Sequence, residues 1–204
     1  MERKLRSRDP RRPAILAQIR WICRHLPAKG ILLFFDEQPI AVNAYGGRRY
    51  SSRRRLVLDS RQKTRGRFYL FVIYDAQSGR IHWASLPGKD SHHVCQFMRR
   101  VRSWYRDAEV WVALDQDTTH PRKSKETRRM MRRLGLHWIS LPKSSPDDNP
   151  VETLFSDVQL MVLDNSDDPD PRATQRRISA RFRGRNRRKD RRIRIPYLDD
   201  SHKG

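Results

Sequence analysis

Two short apolar runs in this chain each end on an aspartate: Ile31-Leu-Leu-Phe-Phe-Asp36 and Val110-Trp-Val-Ala-Leu-Asp115. Continuous apolar runs of this length suit strands buried on both faces, as in a sheet covered by helices on either side. A carboxylate at the end of such a strand is costly to desolvate, so it needs a compensating partner. In an open α/β sheet the carboxyl ends of the strands open onto the functional crevice. If these two strands are parallel neighbours, Asp36 and Asp115 face each other there.

The rest of the chain supplies the remaining layers. Residues 13–26 carry apolar side chains at helical spacing (Ile15, Leu16, Ile19, Ile22, Cys23, Leu26), with Pro13 suited to a first turn. Arg67-Phe-Tyr-Leu-Phe-Val-Ile-Tyr74 predicts a strand, and residues 80–86 predict its hairpin partner across the turn Asp-Ala-Gln-Ser-Gly. A helix follows from Ser91, with Val94, Phe97, Met98 and Val101 on one face and Arg99, Arg100 and Arg102 on the other. A helix near 123–134, a strand at 136–141 and a last helix opened by Asn149-Pro150 complete a mixed-sheet α/β sandwich. A short strand near Leu56–Leu58 is also expected. After Leu163 the chain turns acidic, and about half of residues 172–194 are Arg or Lys, a composition expected to stay exposed and disordered without a partner.

Two nearby carboxylates repel, so at neutral pH they call for a proton or a cation. Mg²⁺ suits them, because it takes oxygen ligands and leaves positions open for phosphate and water. Glu152, in the first turn of the last helix, flanks the apolar stripe and can reach the crevice edge as a third acid. Each acid also has a plainer role. Asp36 and Asp115 can start turns. Asp117 shares a strand face with Asp115 and competes for its role, although it lies beyond the apolar run. Asn149, Pro150 and Glu152 together read as a capping box. Glu37 should point to the opposite side of the pleat from Asp36.

The formal net charge of +22 in 204 residues points to a polyanionic partner, and nucleic acid fits better than an anionic membrane surface. No apolar run approaches the roughly 20 residues needed to cross a bilayer. The N-terminus lacks a signal-peptide core, and Cys23 and Cys95 read as separate reduced thiols, so a cytoplasmic protein is expected. Arg48, Arg49, Arg53, Arg54 and Arg55 in a basic loop are candidate nucleic-acid contacts, with Arg176, Arg177, Arg187 and Arg188 in the tail. Tyr45 could stack on a base or simply pack in its loop.

Three separated blocks carry a family resemblance: Phe34-Phe-Asp-Glu37, the stretch from Leu114 to Pro142, and Ser145-Pro-Asp-Asp-Asn-Pro-Val-Glu152 with the Thr-Leu-Phe-Ser-Asp-Val-Gln that follows. They resemble the catalytic blocks of mariner-like bacterial insertion-sequence transposases, members of the DDE superfamily endonucleases. The third block matches the family's Ser-Pro-x-x-Asn-Pro-x-Glu at every fixed position. The second departs from the usual Asp-Asn-x-x-x-His, with Gln116 in place of Asn and His120 retained. The interval from Asp115 to Glu152 is close to the family's usual one.

The resemblance implies an RNase H-like fold with Asp36, Asp115 and Glu152 as catalytic metal ligands. It implies two Mg²⁺ ions about 3.5–4 Å apart, with Mn²⁺ as a substitute, and second-shell places for Gln116 and His120. It implies DNA cleavage and strand transfer at transposon ends, into target DNA, by a homodimer at the bacterial nucleoid. On this reading residues 1–30 are a helix and linker, 31–163 the catalytic domain, and 164–204 an acidic linker and Arg-rich tail. So short an N-terminal part cannot hold a helix-turn-helix reader, so a separate helix-turn-helix chain is expected, with this chain as a detached catalytic half or a remnant. Two other classes stay open: a non-catalytic basic nucleic-acid-binding protein, and another RNase H-like nuclease such as a resolvase.

Overall fold

The computed structural model describes residues 9–43, 64–164 and 166–199. The strand expected near Leu56–Leu58, Tyr45 and the five loop arginines from Arg48 to Arg55 lie outside them. Five strands form one sheet: β1 (Gly30–Ala41), β2 (Arg67–Asp75), β3 (Ile81–Leu86), β4 (Glu109–Leu114) and β5 (Leu136–Ser140), in the order β3-β2-β1-β4-β5. The β3-β2-β1 half is antiparallel, and β1-β4-β5 is parallel. The helices are α1 (Arg12–Arg24), α2 (Ser91–Trp104), α3 (Lys125–Arg133), α4 (Val151–Val158) and α5 (Pro171–Asn186).

Strand alternation sorts the core into two layers. Leu32, Phe34, Val72 and Ala113 face α1, α4 and α5, while Leu33, Phe35, Ile73 and Val112 face α2 and α3. The helices start where the local chemistry lets them. Asp90 accepts from His93 N at 3.0 Å, Ser124 from Thr127 N at 3.2 Å, and Asp170 from Ala173 N at 2.8 Å, each satisfying an otherwise unpaired first-turn donor.

β1 runs further than its apolar stretch predicts. It pairs with β4 only from Gly30 to Phe34, then continues against β2 alone as far as Ala41. Pro39, which has no N–H to give, sits in this one-sided half. The open side of β1 is therefore built into the sequence, and it faces the crevice.

The Arg-rich segment departs from expectation. Residues 171–186 form α5, whose Thr174, Ile178 and Phe182 are buried at successive helical turns. Ile195 and Tyr197 beyond it are also core residues, in the same cluster as Leu16, Ile19 and Ile22 of α1. The Asn186 side chain accepts from Ile81 N at 2.9 Å and donates to Ile81 O at 2.8 Å, closing part of the β3 edge. Bidentate contacts from Arg181 to Asp157 brace the same helix against α4. A few buried side chains hold the segment while Arg172, Arg176, Arg177 and Arg183 stay exposed. Phe182→Ala is expected to cost about 3–5 kcal/mol of stability in denaturant unfolding, as for a buried aromatic; a solvated tail would lose almost nothing.

Candidate active site

The last β1–β4 pair is Phe34 with Ala113, and Asp36 and Asp115 each stand two residues beyond it. Asp115 follows the end of β4 as expected, whereas Asp36, expected at a strand end, lies within β1, just past the end of its pairing with β4, because β1 continues against β2. Both flank a cleft of about 450 Å³ that is also lined by Glu152, Gln116, Asp117 and Asn149. Three cationic residues line it as well, Arg122, Lys123 and Lys143, none of which the sequence singled out.

Glu152 reaches the cleft because α4 begins beside it, and the expected capping box does not form. The Asn149 N–H that Glu152 would have capped is taken by Pro146 O at 2.9 Å. Asn149 works in two directions instead. Its Oδ1 accepts from Val151 N at 3.2 Å, at the start of α4. Its Nδ2 donates to Asp36 Oδ2 at 3.0 Å and lies 3.3 Å from Phe35 O. One amide thus ties the first acid to the helix that carries the third.

The loop before α4 is anchored from both ends of the described chain. Asp148 is buried and takes a two-pronged contact from Arg12 of α1, Nε at 2.8 Å and Nη2 at 2.7 Å. The Ser145 hydroxyl donates to the same carboxylate, and the Tyr197 hydroxyl donates to Asp148 O at 2.7 Å. Gln116 fastens the neighbouring strand ends, donating from Nε2 to Leu141 O at 2.9 Å. Asp117 caps its own turn through Thr119 N at 3.0 Å and pairs with Lys89 at 3.2 Å, which confirms its place in the loop.

His120 is 1% exposed. Its Nδ1 lies 2.6 Å from Asp115 Oδ1 and its Nε2 lies 3.1 Å from Glu37 Oε2. Glu37 points to the α2/α3 side of the sheet, as its parity predicts, and the imidazole meets it there against the edge of Phe35. Burial opposes a charged ring, but the bonds to Asp115 and Glu37 outweigh it and raise the pKa of His120 to about 10.

The acids respond to one another. Burial, then the charges of Glu37, Asp115 and Glu152, push Asp36 up to about 8. Burial and then Asp115 raise Glu152. Burial would raise Asp115 too, but the hydrogen bond and charge of His120 prevail and hold it below the usual carboxylate value.

Among the described residues no group of three His, Cys, Asp or Glu side chains is arranged to hold a metal ion as it stands. One Asp115 oxygen is turned to His120, and both Asp36 oxygens already accept bonds within the protein. The donor chemistry nonetheless fits a hard divalent ion: carboxylate oxygens with lone pairs to spare, crowded enough that one stays protonated.

The tail arginines are placed elsewhere. Arg176, Arg187 and Arg188 are exposed on or just after α5, and Arg177 pairs with Asp168 at 2.9 Å; none lines the cleft.

A mixed five-stranded sheet with helices on both faces is the RNase H-like architecture. The chain superposes on the catalytic domain of Mos1 mariner transposase with a TM-score of 0.60 at 14% identity, covering 90% of this chain and 84% of that one. The mariner Mos1 paired-end complex with Mg gives 0.68 at 15% identity, covering 97% and 60%. The Mos1 strand transfer complex gives 0.64 at 15%, covering 85% and 53%. The chain thus spans little more than half the length of the Mos1 chains in those complexes. The sequence matches the DDE superfamily endonuclease family model over residues 31–171, and the chain belongs to that family. No curated protein matches it in sequence. Among the described residues no helix is long and apolar enough to cross a membrane.

Proposed function

We propose that this chain is the catalytic part of a mariner-like transposase, which cuts DNA at transposon ends and joins the freed 3′-hydroxyl to target DNA. The observation that carries this is the pair of register-equivalent aspartates that line one cleft with Glu152, where burial and the neighbouring carboxylates raise the pKa of Asp36. Asp36, Asp115 and Glu152 would hold a pair of divalent ions, Mg²⁺ or Mn²⁺. Such a pair, when bound, supplies charge that stabilises the attacking and leaving oxygens of an in-line displacement.

The chain's own groups do the rest. Arg122, Lys123 and Lys143 at the cleft wall bind the backbone phosphates of the strand to be cut. Asn149 holds Asp36 in place relative to α4, and Gln116 keeps the two strand ends together. The net charge draws DNA in, so affinity should fall steeply as salt rises, through counterion release. The Mos1 structures described as paired-end complexes support assembly as a homodimer on two DNA ends. The chain would act on DNA at the bacterial nucleoid.

The test uses supercoiled plasmid and an oligonucleotide with a free 3′-hydroxyl. The purified chain is expected to nick and to join with Mg²⁺ or Mn²⁺, and to do neither with a chelator. Asp115→Ala and Glu152→Gln are expected to abolish both while DNA retention in gel shifts is kept or increased. Nicking that persists in both variants sinks the assignment of the site. Nicking of branched DNA with no joining points to a resolvase-like nuclease, and binding without any cleavage points to the non-catalytic reading.

A further inference from the structure

Glu37 lies on the far side of the sheet from the cleft, its side chain 3% exposed, on the face whose apolar layer includes Phe35, Phe71 and Phe97. A carboxylate is expensive there unless something holds it. What it meets is the Nε2 of His120, at 3.1 Å, while the Nδ1 of the same ring is 2.6 Å from Asp115 Oδ1. Both partners are acceptors, so both ring nitrogens donate, and the ring cannot rotate without losing one bond. Phe35, edge-on with ring centroids 5.4 Å apart, closes one side of the imidazole.

Asp115 is half exposed and follows the last residue of β4, so its carboxylate is held by two polar contacts, the His120 ring and the N–H of Asp117, which donates to Oδ1 at 2.9 Å. Asp36 differs: it sits within β1, with Asn149 as a second anchor. Among the described residues, His120 supplies the side-chain contact to the Asp115 carboxylate, in addition to that backbone N–H.

We propose that Glu37 is a positioning residue: through His120 it fixes the orientation in which Asp115 presents its carboxylate to the cleft. This rests on the reading of Asp115 as a metal ligand. The strut runs from the α2/α3 layer of β1, around the strand ends, to the opposite wall of the cleft. It joins residues 83 apart in sequence. Its effect is on how well Asp115 is pre-arranged for an ion, not on any step at the reacting phosphate.

Mn²⁺ binding to the whole chain without DNA, followed by electron paramagnetic resonance, provides the test, with melting temperature and DNA affinity measured alongside. Glu37→Ala is expected to raise the half-saturating Mn²⁺ concentration roughly 10-fold or more, in the range seen when the partner of a ligand is removed. Glu37→Gln keeps an acceptor oxygen at the same reach and is expected to stay within about threefold of the parent, a rescue consistent with a hydrogen bond of modest net worth. If Glu37→Ala fails to fold, Glu37→Asp withdraws the acceptor by one methylene and carries the same expectation.

A folded Ala or Asp variant with parental Mn²⁺ affinity overturns the inference, and so does a Gln variant no better than Ala. Asp115→Ala separates this from failure of the functional reading. If Asp115→Ala weakens Mn²⁺ binding and Glu37→Ala does not, only the strut is wrong. If neither does, the ligand assignment itself is wrong.

Discussion

Asp36→Asn is expected to yield a more stable protein that cuts no DNA. The folded chain keeps the Asp36 proton up to about pH 8, whereas an exposed carboxyl releases it near 3.8. Between those values the folded state binds one proton more than the unfolded state, so stability falls as pH rises. The loss begins above 3.8, is complete beyond about 8, and is absent in acid. At about 1.4 kcal/mol per unit, it amounts to several kcal/mol in metal-free buffer. Asparagine has no charge to desolvate and still offers Asn149 an oxygen, at the cost of the bond that the other oxygen accepts from Glu37 N, worth about 1 kcal/mol.

Melting curves from pH 4 to 9 in chelator should therefore diverge, with the variant ahead at the alkaline end. His120 makes stability fall through the alkaline range in both proteins, because its folded value of about 10 lies above its unfolded 6.5. That contribution is common to the pair and drops out of the comparison. Added Mn²⁺ should close the gap by stabilising the parent alone. Parallel curves for the two proteins across the whole range would show that Asp36 is not under strain. The same crowding that weakens the empty protein is what the proposed chemistry requires.

Asp148→Ala is expected to cost about 3–5 kcal/mol, the usual effect of removing one partner of a buried charged pair. The Arg12 side chain is 37% exposed, so it recovers some hydration and the low end applies. Ser145 also loses its acceptor, and the turn Pro146–Asp148 loses the anchor that fixes Asn149 and Glu152. Nicking should therefore fall well below the parental rate even at temperatures where the variant is fully folded. Guanidinium unfolding gives the first quantity, and single-turnover nicking at low temperature gives the second. Pairing the change with Arg12→Met, so that no charge is left over, should recover much of the stability and little of the activity. Equal recovery of both would mean that the contact serves the fold alone.

What the sequence made legible follows physical reach. The strand-end acids could be read because apolar runs that short have few other uses, and parallel pairing then brings their ends together. The third acid could be placed by its helix start, but its local surroundings misled. Asn149 read as a helix cap, and nothing nearby showed that its amide would cross to Asp36. Glu37 could be placed on a face and His120 in the stretch after β4, while their contact depended on how the turn there folds back. The Arg-rich segment held its signal in plain view: Thr174, Ile178 and Phe182 recur every four residues. Three buried positions among so many arginines are easily outweighed in a composition argument, yet they suffice to dock a helix whose charged side chains have an open face to occupy.

The Tyr197 contact has a temporal consequence. A polypeptide is made from its N-terminus, so Arg12, both aspartates and Glu152 all exist before the residue whose hydroxyl closes the loop carbonyl of Asp148. A nascent chain that stalls short of Ile195 lacks its core contacts as well, and so carries Asp36, Asp115 and Glu152 without this closure of the loop before α4. The hydrogen bond to the Asp148 carbonyl thus forms only after translation has passed Tyr197.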